Sequence, residues 1–206
     1  MPTKALGRVC VQMVILAALL TSTVPALAHD TSFEFKSFPQ DPAVTEFSSS
    51  FGAVRSEGRR HQGNDLMAPK MTPVYAVADG TVLSLKHSTR AGWYIRLGHK
   101  GDWETWYIHL NNDRPGTDDG RAKQSQIFAK GLEVGDEVVA GRVIGYVGDS
   151  GNAEPSSSHT HFELHHRGRI VNPYPYLVDA QKAHIKRLKK EAKEAYETFL
   201  SSNNIA

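Results

Sequence analysis

The segment WYIRLGHKGDWETWYIHL, residues 93–110, sets large side chains against polar ones on both sides of Gly98, Lys100, Gly101 and Asp102. A period of two broken by glycine-rich punctuation predicts an antiparallel hairpin, Trp93 to Leu97 against Trp103 to Leu110. Upstream, PVYAVADGTVLSL (73–85) predicts another, Val74 to Ala78 and Thr81 to Leu85 about the Asp79-Gly80 turn. Downstream, Gly135-Asp136, Val138-Val139, Gly141, Val143 to Val147 and Gly148 continue the same texture. Short strands between tight turns place the chain in the mainly β class, with an antiparallel, barrel-like sheet. Beyond Pro175 the period changes. Ile185, Leu188, Ala192, Ala195 and Phe199 recur every three or four residues and predict an amphipathic C-terminal helix over 178–200.

Between these elements lie two irregular segments. Residues 111–131 are long for a loop inside a compact domain and follow His109 directly, so they are expected to shape a groove. Residues 151–158 form a second loop that leads into the segment beginning at His159. Strand parity puts Trp103, Thr105, Tyr107 and His109 on one face, so His109 is expected beside two aromatics.

The amino terminus has its own logic. Lys4 and Arg8 precede an apolar run from Val9 to Leu20, and Pro25-Ala26-Leu27-Ala28 supplies small residues for cleavage before His29. Residues 1–28 therefore read as a signal peptide, and the protein is expected to be exported, periplasmic or extracellular. The apolar run is too short for a membrane span. Cleavage removes Cys10, the only cysteine, so no disulfide would brace the remainder. It also removes the charge surplus, leaving 22 basic against 22 acidic residues and no nucleic-acid footprint. Residues 29–50 read as an N-terminal segment packed on a domain spanning 51–176, with 177–206 as helix and tail.

The chemistry concentrates in histidines. His159 and His161 sit two apart in a strand-like segment and project from one side, while His61-Gln62-Gly63-Asn64-Asp65 offers a second pair about a hundred residues upstream. A His-x-His is expected by chance roughly 0.5 times here, but His-x-Gly-x-Asp only roughly 0.04 times. Three nitrogen or oxygen ligands from two segments suit a catalytic zinc, which keeps a fourth position open; a closed thiolate site is excluded. Gly63 is expected to bend the backbone so that its flanking residues converge.

In order, HQGND (61–65), YIHL (107–110), GDSGN (148–152) and HTHFE (159–163) resemble the lysostaphin-type zinc metallopeptidases, the LytM-domain family of peptidoglycan hydrolases. The resemblance covers roughly residues 50–176. It implies one zinc ion held by His61, Asp65 and His161, with His109 and His159 as catalytic residues. It departs from the common pattern at Ser158, where proline is usual, and at Thr160, where an apolar residue is usual. Glu163 shares the face of His161 and is placed to orient its ring, or else pairs with a surface cation. His87, His99, His165, His166 and His184 lack spacing that ties them to the site. The implied function is a secreted zinc endopeptidase acting on stem peptides or cross-bridges of peptidoglycan. A non-catalytic LytM-like module that regulates cell-wall amidases is the alternative, and a structural β domain a third. The Gly-Asp and Val-Val turn near residue 135 is similar to that of biotinyl or lipoyl carrier domains, but no lysine sits at a hairpin tip in the expected place. Oligomeric state is left open.

Overall fold

The computed structural model describes residues 33–202; the expected signal peptide, residues 1–28, lies outside them. The strands are β1 (Asn64–Met67), β2 (Pro73–Tyr75), β3 (Gly80–Ser88), β4 (Gly92–His99), β5 (Trp103–Leu110), β6 (Glu137–Val138), β7 (Val143–Tyr146), β8 (His159–His166) and β9 (Arg169–Val171). Two helices join them, the single turn α1 (Gln124–Ile127) and the long α2 (Tyr174–Ser202). Seven strands form one antiparallel sheet, ordered β1-β8-β5-β4-β3-β6 with β9 on β8, and β2 pairs with β7 apart from it. The path ends at β1 and β6. Among the described residues the sheet is therefore open and not a closed barrel, within the mainly β, antiparallel class expected from the sequence.

The expected hairpin of residues 93–110 forms as β4 against β5. The one about Asp79-Gly80 does not: β2 pairs with β7, and β3 pairs with β4 and β6. A tight two-residue hairpin turn of the Asp-Gly type needs positive φ at both residues, and neither Asp79 nor Gly80 has it. Gly80 serves close approach instead, since a Cβ there would lie 2.4 Å from the Gly98 carbonyl oxygen. Residues 76–78 leave the ladder and bury themselves, with the Val77 amide donating to the Tyr107 hydroxyl.

The core lies on one face of the sheet. Phe162 and Leu164 of β8, Tyr107 of β5 and Ile95 and Leu97 of β4 meet Phe33, Phe35 and Phe38 of the segment before β1. Phe33 stacks on Trp103 at 4.9 Å, and Phe35 meets Phe162 edge-on. Helix α2 starts earlier and ends later than its periodicity predicts. Only its first turns are anchored, by Tyr176, Leu177 and Ala180, while Ile185, Leu188 and Phe199 are exposed. Its apolar spacing does not mark contact with the sheet.

Residues 111–131 are pinned down. Lys70 Nζ lies 2.7 Å from Asp113, 2.7 Å from Asp118 and 2.8 Å from Asp149, tying the β1–β2 connection to both loops. Asp113 also accepts the amides of Asp119 and Gly120.

Candidate metal centre

A cavity of about 950 Å³ opens on the face of the sheet opposite the core. Strand β8 builds its floor by parity: Thr160, Phe162 and Leu164 point into the core, while His159, His161, Glu163 and His165 line the cavity. The β1–β8 register sets Asp65 opposite His161, so the two carry neighbouring side chains across the ladder. His61 enters from the coil before β1, its amide bonded to the Ala53 carbonyl. Gly63 has no positive φ, and its contribution to bringing His61 and Asp65 together is one of space. A Cβ there would stand 2.2 Å from the Phe162 carbonyl oxygen, so glycine permits β1 to close on β8.

Three ligand atoms meet at the corners of a triangle. His61 Nε2 is 3.0 Å from Asp65 Oδ1 and 2.9 Å from His161 Nδ1, and His161 Nδ1 is 2.9 Å from Asp65 Oδ1. The opposite nitrogens are occupied. His61 Nδ1–H donates to the Ser50 carbonyl at 3.0 Å, and His161 Nε2–H donates to Glu163 Oε1 at 3.1 Å. With Nδ1–H given to Ser50, the neutral ring of His61 turns its Nε2 lone pair inward. Burial lowers the His161 pKa, but hydrogen bonds to Asp65 and Glu163 outweigh it and the net shift is upward. A second proton on His161 serves its edge to Asp65 and leaves both edges of His61 without one. A cation within reach of all three satisfies them together. Two imidazoles and one carboxylate match the preference of zinc, and the edges approach the roughly 3.3 Å of a tetrahedral shell. Asp65 itself is held far below the usual carboxylate range: burial raises its pKa, but His161 and His61 overcome that. Its outer oxygen accepts from Arg55 at 2.5 Å.

Around the triangle, Glu163 orients His161 as its shared strand face suggested, and it brings with it two residues that the sequence did not tie to the site, His165 and Trp106. Glu163 bridges His161 and His165, whose Nε2–H donates to Oε2 at 2.8 Å, while His165 stacks on Trp106 at 4.8 Å. Burial raises the Glu163 pKa, yet the two imidazoles bring it down to about 2. The parity that places His159 and His161 together extends to Glu163 and His165, so that signal was present. Trp103 and Tyr107 belong to the core, and Trp106 is the aromatic that lines the cavity.

His109 reaches the cavity against strand parity. The β4–β5 register shifts between Trp93 and Ile95, leaving Ile108 and His109 opposite Tyr94. His109 takes φ 65°, a left-handed value uncommon outside glycine. That bulge turns the ring away from Trp103 and Tyr107 and onto the face of His159, 5.2 Å between centroids. Its Nδ1–H donates to the Ser150 carbonyl at 2.8 Å, and His159 Nδ1–H donates to the Ser157 carbonyl at 2.8 Å. Both rings therefore keep Nε2 free to accept. Burial chiefly, helped by the neighbouring His159, lowers the His109 pKa to about 4.

None of residues 111–131 lines the cavity, contrary to expectation; its walls come from residues 55–62, 88–91 and 152–157. A second acidic group, Asp113, Asp118 and Asp149, has Lys70 Nζ among its carboxylates. An ammonium there replaces any need for a metal.

The sequence profile of peptidase family M23 matches residues 59–173, more than half of the chain. The chain is 28% identical over 172 residues to the peptidoglycan DD-endopeptidase ShyB of Vibrio cholerae, covering 81% of itself and 34% of that protein. Among solved structures, a zinc-containing peptidase from Vibrio cholerae aligns with TM-score 0.54 and 28% identity over 68% of this chain and 39% of that one. The catalytic domain of lysostaphin from Staphylococcus simulans aligns with TM-score 0.51 and 25% identity over 65% of this chain and 92% of that one. The chain spans roughly a third of the length of the curated relatives it matches.

Proposed function

The chain belongs to peptidase family M23, and we propose that it is an exported, zinc-dependent endopeptidase that hydrolyses peptide bonds in bacterial peptidoglycan, within stem peptides or cross-bridges. Residues 51–176 form the hydrolase unit, preceded by the export segment 1–28 and the packing segment 29–50 and followed by 177–206. The observation that carries the proposal is the triangle of His61, Asp65 and His161, with edges of 2.9–3.0 Å and the cavity beside it.

Those three residues hold the metal, and a zinc ion there supplies Lewis-acid polarisation of a carbonyl and acidification of water. His109 and His159 handle protons. Each ring is fixed by an Nδ1–H bond to a backbone carbonyl, so each Nε2 either accepts a proton or, once protonated, donates to a developing oxyanion. Burial keeps His109 neutral at physiological pH, the form a general base requires.

Charge favours the stem peptide. Arg60 and Arg90 line the cavity, whose carboxylates Asp65 and Glu163 are already engaged, both by imidazoles and Asp65 also by Arg55. That surplus suits a peptide with free carboxylates better than a neutral glycine bridge. The non-catalytic alternative is not favoured by a cavity that gathers all five named residues. Incubation of the purified protein with sacculi, with and without a chelator, followed by mass analysis of released peptides, tests the proposal. Chelator-sensitive release of cleaved stem peptides is expected, and intact sacculi after treatment with the zinc-loaded protein would refute it.

A further inference from the structure

Ser150 is buried beside the bulged end of β5, and its hydroxyl and carbonyl reach out of its own loop to strands β4 and β5. Its Oγ accepts the Trp93 amide at 2.9 Å and donates to the Leu110 carbonyl at 2.5 Å. Trp93 and Leu110 are the pair at which the β4–β5 register resumes after its shift, so the hydroxyl sits between two strands where their ladder is interrupted. The Ser150 carbonyl accepts His109 Nδ1–H at 2.8 Å. One residue thus spans both strands at the bulge and also holds the ring that the bulge displays.

Two glycines allow this approach. A Cβ on Gly92 would lie 2.2 Å from Ser150 Oγ, and one on Gly151 would lie 2.3 Å from the Gly92 nitrogen. Both already have positive φ, so a side chain at either would be strained as well as blocked. The backbone at 150–151 is consequently seated directly on the β3–β4 turn. A serine serving only its own loop would bond within residues 148–158, whereas the partners of this hydroxyl lie 57 and 40 residues away.

We infer that Ser150 is a positioning residue for His109: its hydroxyl braces the bulge that turns the imidazole toward the metal triangle, and its carbonyl fixes which ring nitrogen faces the cavity. The inference rests on the peptidase reading, in which His109 handles protons. It makes no demand on metal binding, since Ser150 touches none of His61, Asp65 or His161.

The test compares parent, Ser150→Ala and Ser150→Thr in the full zinc-loaded chain, using soluble peptidoglycan fragments as substrate and hydrogen exchange as a second measurement. Ser150→Ala is expected to keep one zinc per chain and a KM within about threefold of the parent, while kcat falls about 10- to 100-fold. Ser150→Thr, which keeps the hydroxyl, is expected to recover most of that loss. Exchange at the amides of Trp93 and His109 should quicken in the alanine variant and return in the threonine variant. A kcat for Ser150→Ala within about twofold of the parent would overturn the inference. So would a loss of zinc that accounts for the whole fall in rate. A zinc-loaded parent that cuts nothing would instead strike the peptidase reading, and exchange alone would then decide: unchanged protection at Trp93 and His109 overturns the brace.

Discussion

Asp65 and His161 face each other across the β1–β8 ladder, and Asp65 Oδ1 lies 2.9 Å from His161 Nδ1 while Glu163 holds the far nitrogen of the same ring at 3.1 Å. The ligand imidazole is therefore oriented by two carboxylates, one on each side. Replacing Glu163 by Gln keeps its size but weakens the hold on Nε2–H. Zinc affinity should fall about 10- to 100-fold, measured by competition with a chromogenic chelator, and excess zinc should restore hydrolysis.

His61 and His109 separate metal binding from turnover. His61→Ala removes one corner of the triangle and is expected to lose both zinc and hydrolysis. His109→Ala should retain about one zinc per chain yet lose about 10²- to 10⁴-fold in kcat, the usual contribution of a positioned proton-transfer group. Metal analysis beside a sacculus assay checks both. A His109→Ala variant as active as the parent would remove that residue from the mechanism.

Acid should weaken the metal-free protein partly through His109. Its ordinary value of 6.5 drops to about 4 on folding, so the unfolded chain binds this proton more readily. The contribution is intact above pH 6.5 and is lost as pH falls through about 4, amounting to about 3 kcal/mol. Urea midpoints of the chelated protein at pH 7, 5.5 and 4 should fall more steeply for the parent than for His109→Gln. Parallel curves would show that this ring does not titrate with folding.

Lys70 is the cation of the second acidic group. With Lys70→Met, the buried Asp113 and Asp149 lose their ammonium partner, which should destabilise the fold by about 3–5 kcal/mol. The melting temperature should drop by roughly 6–20 °C at this size, with hydrogen exchange rising across 112–121 before the rest of the domain. Unaltered melting would show that the three carboxylates tolerate one another in water.

Much of the sheet was legible because β4, β5 and β8 alternate over part of their length, and the same alternation placed His159 and His161 side by side. What failed were positions where backbone geometry overrides pattern. Asp79-Gly80 has the composition of a tight turn but not its dihedrals, and its glycine instead admits the close approach of the Gly98 carbonyl. His109 was assigned to the wrong face because parity knows nothing of a bulge. His165 was overlooked although parity reaches it. Ser150 carries no periodic signal at all, since its role runs through one hydroxyl and one carbonyl directed at strands distant in sequence.

The triangle also fixes a proton inventory. Without an ion, the two acids flanking His161 favour its charged form, and His61 has already committed its ring proton to Ser50. Loading must evict the extra proton from His161, so filling the site acidifies the medium and apparent affinity climbs with alkalinity. Acid therefore empties the site by simple competition, proton against metal.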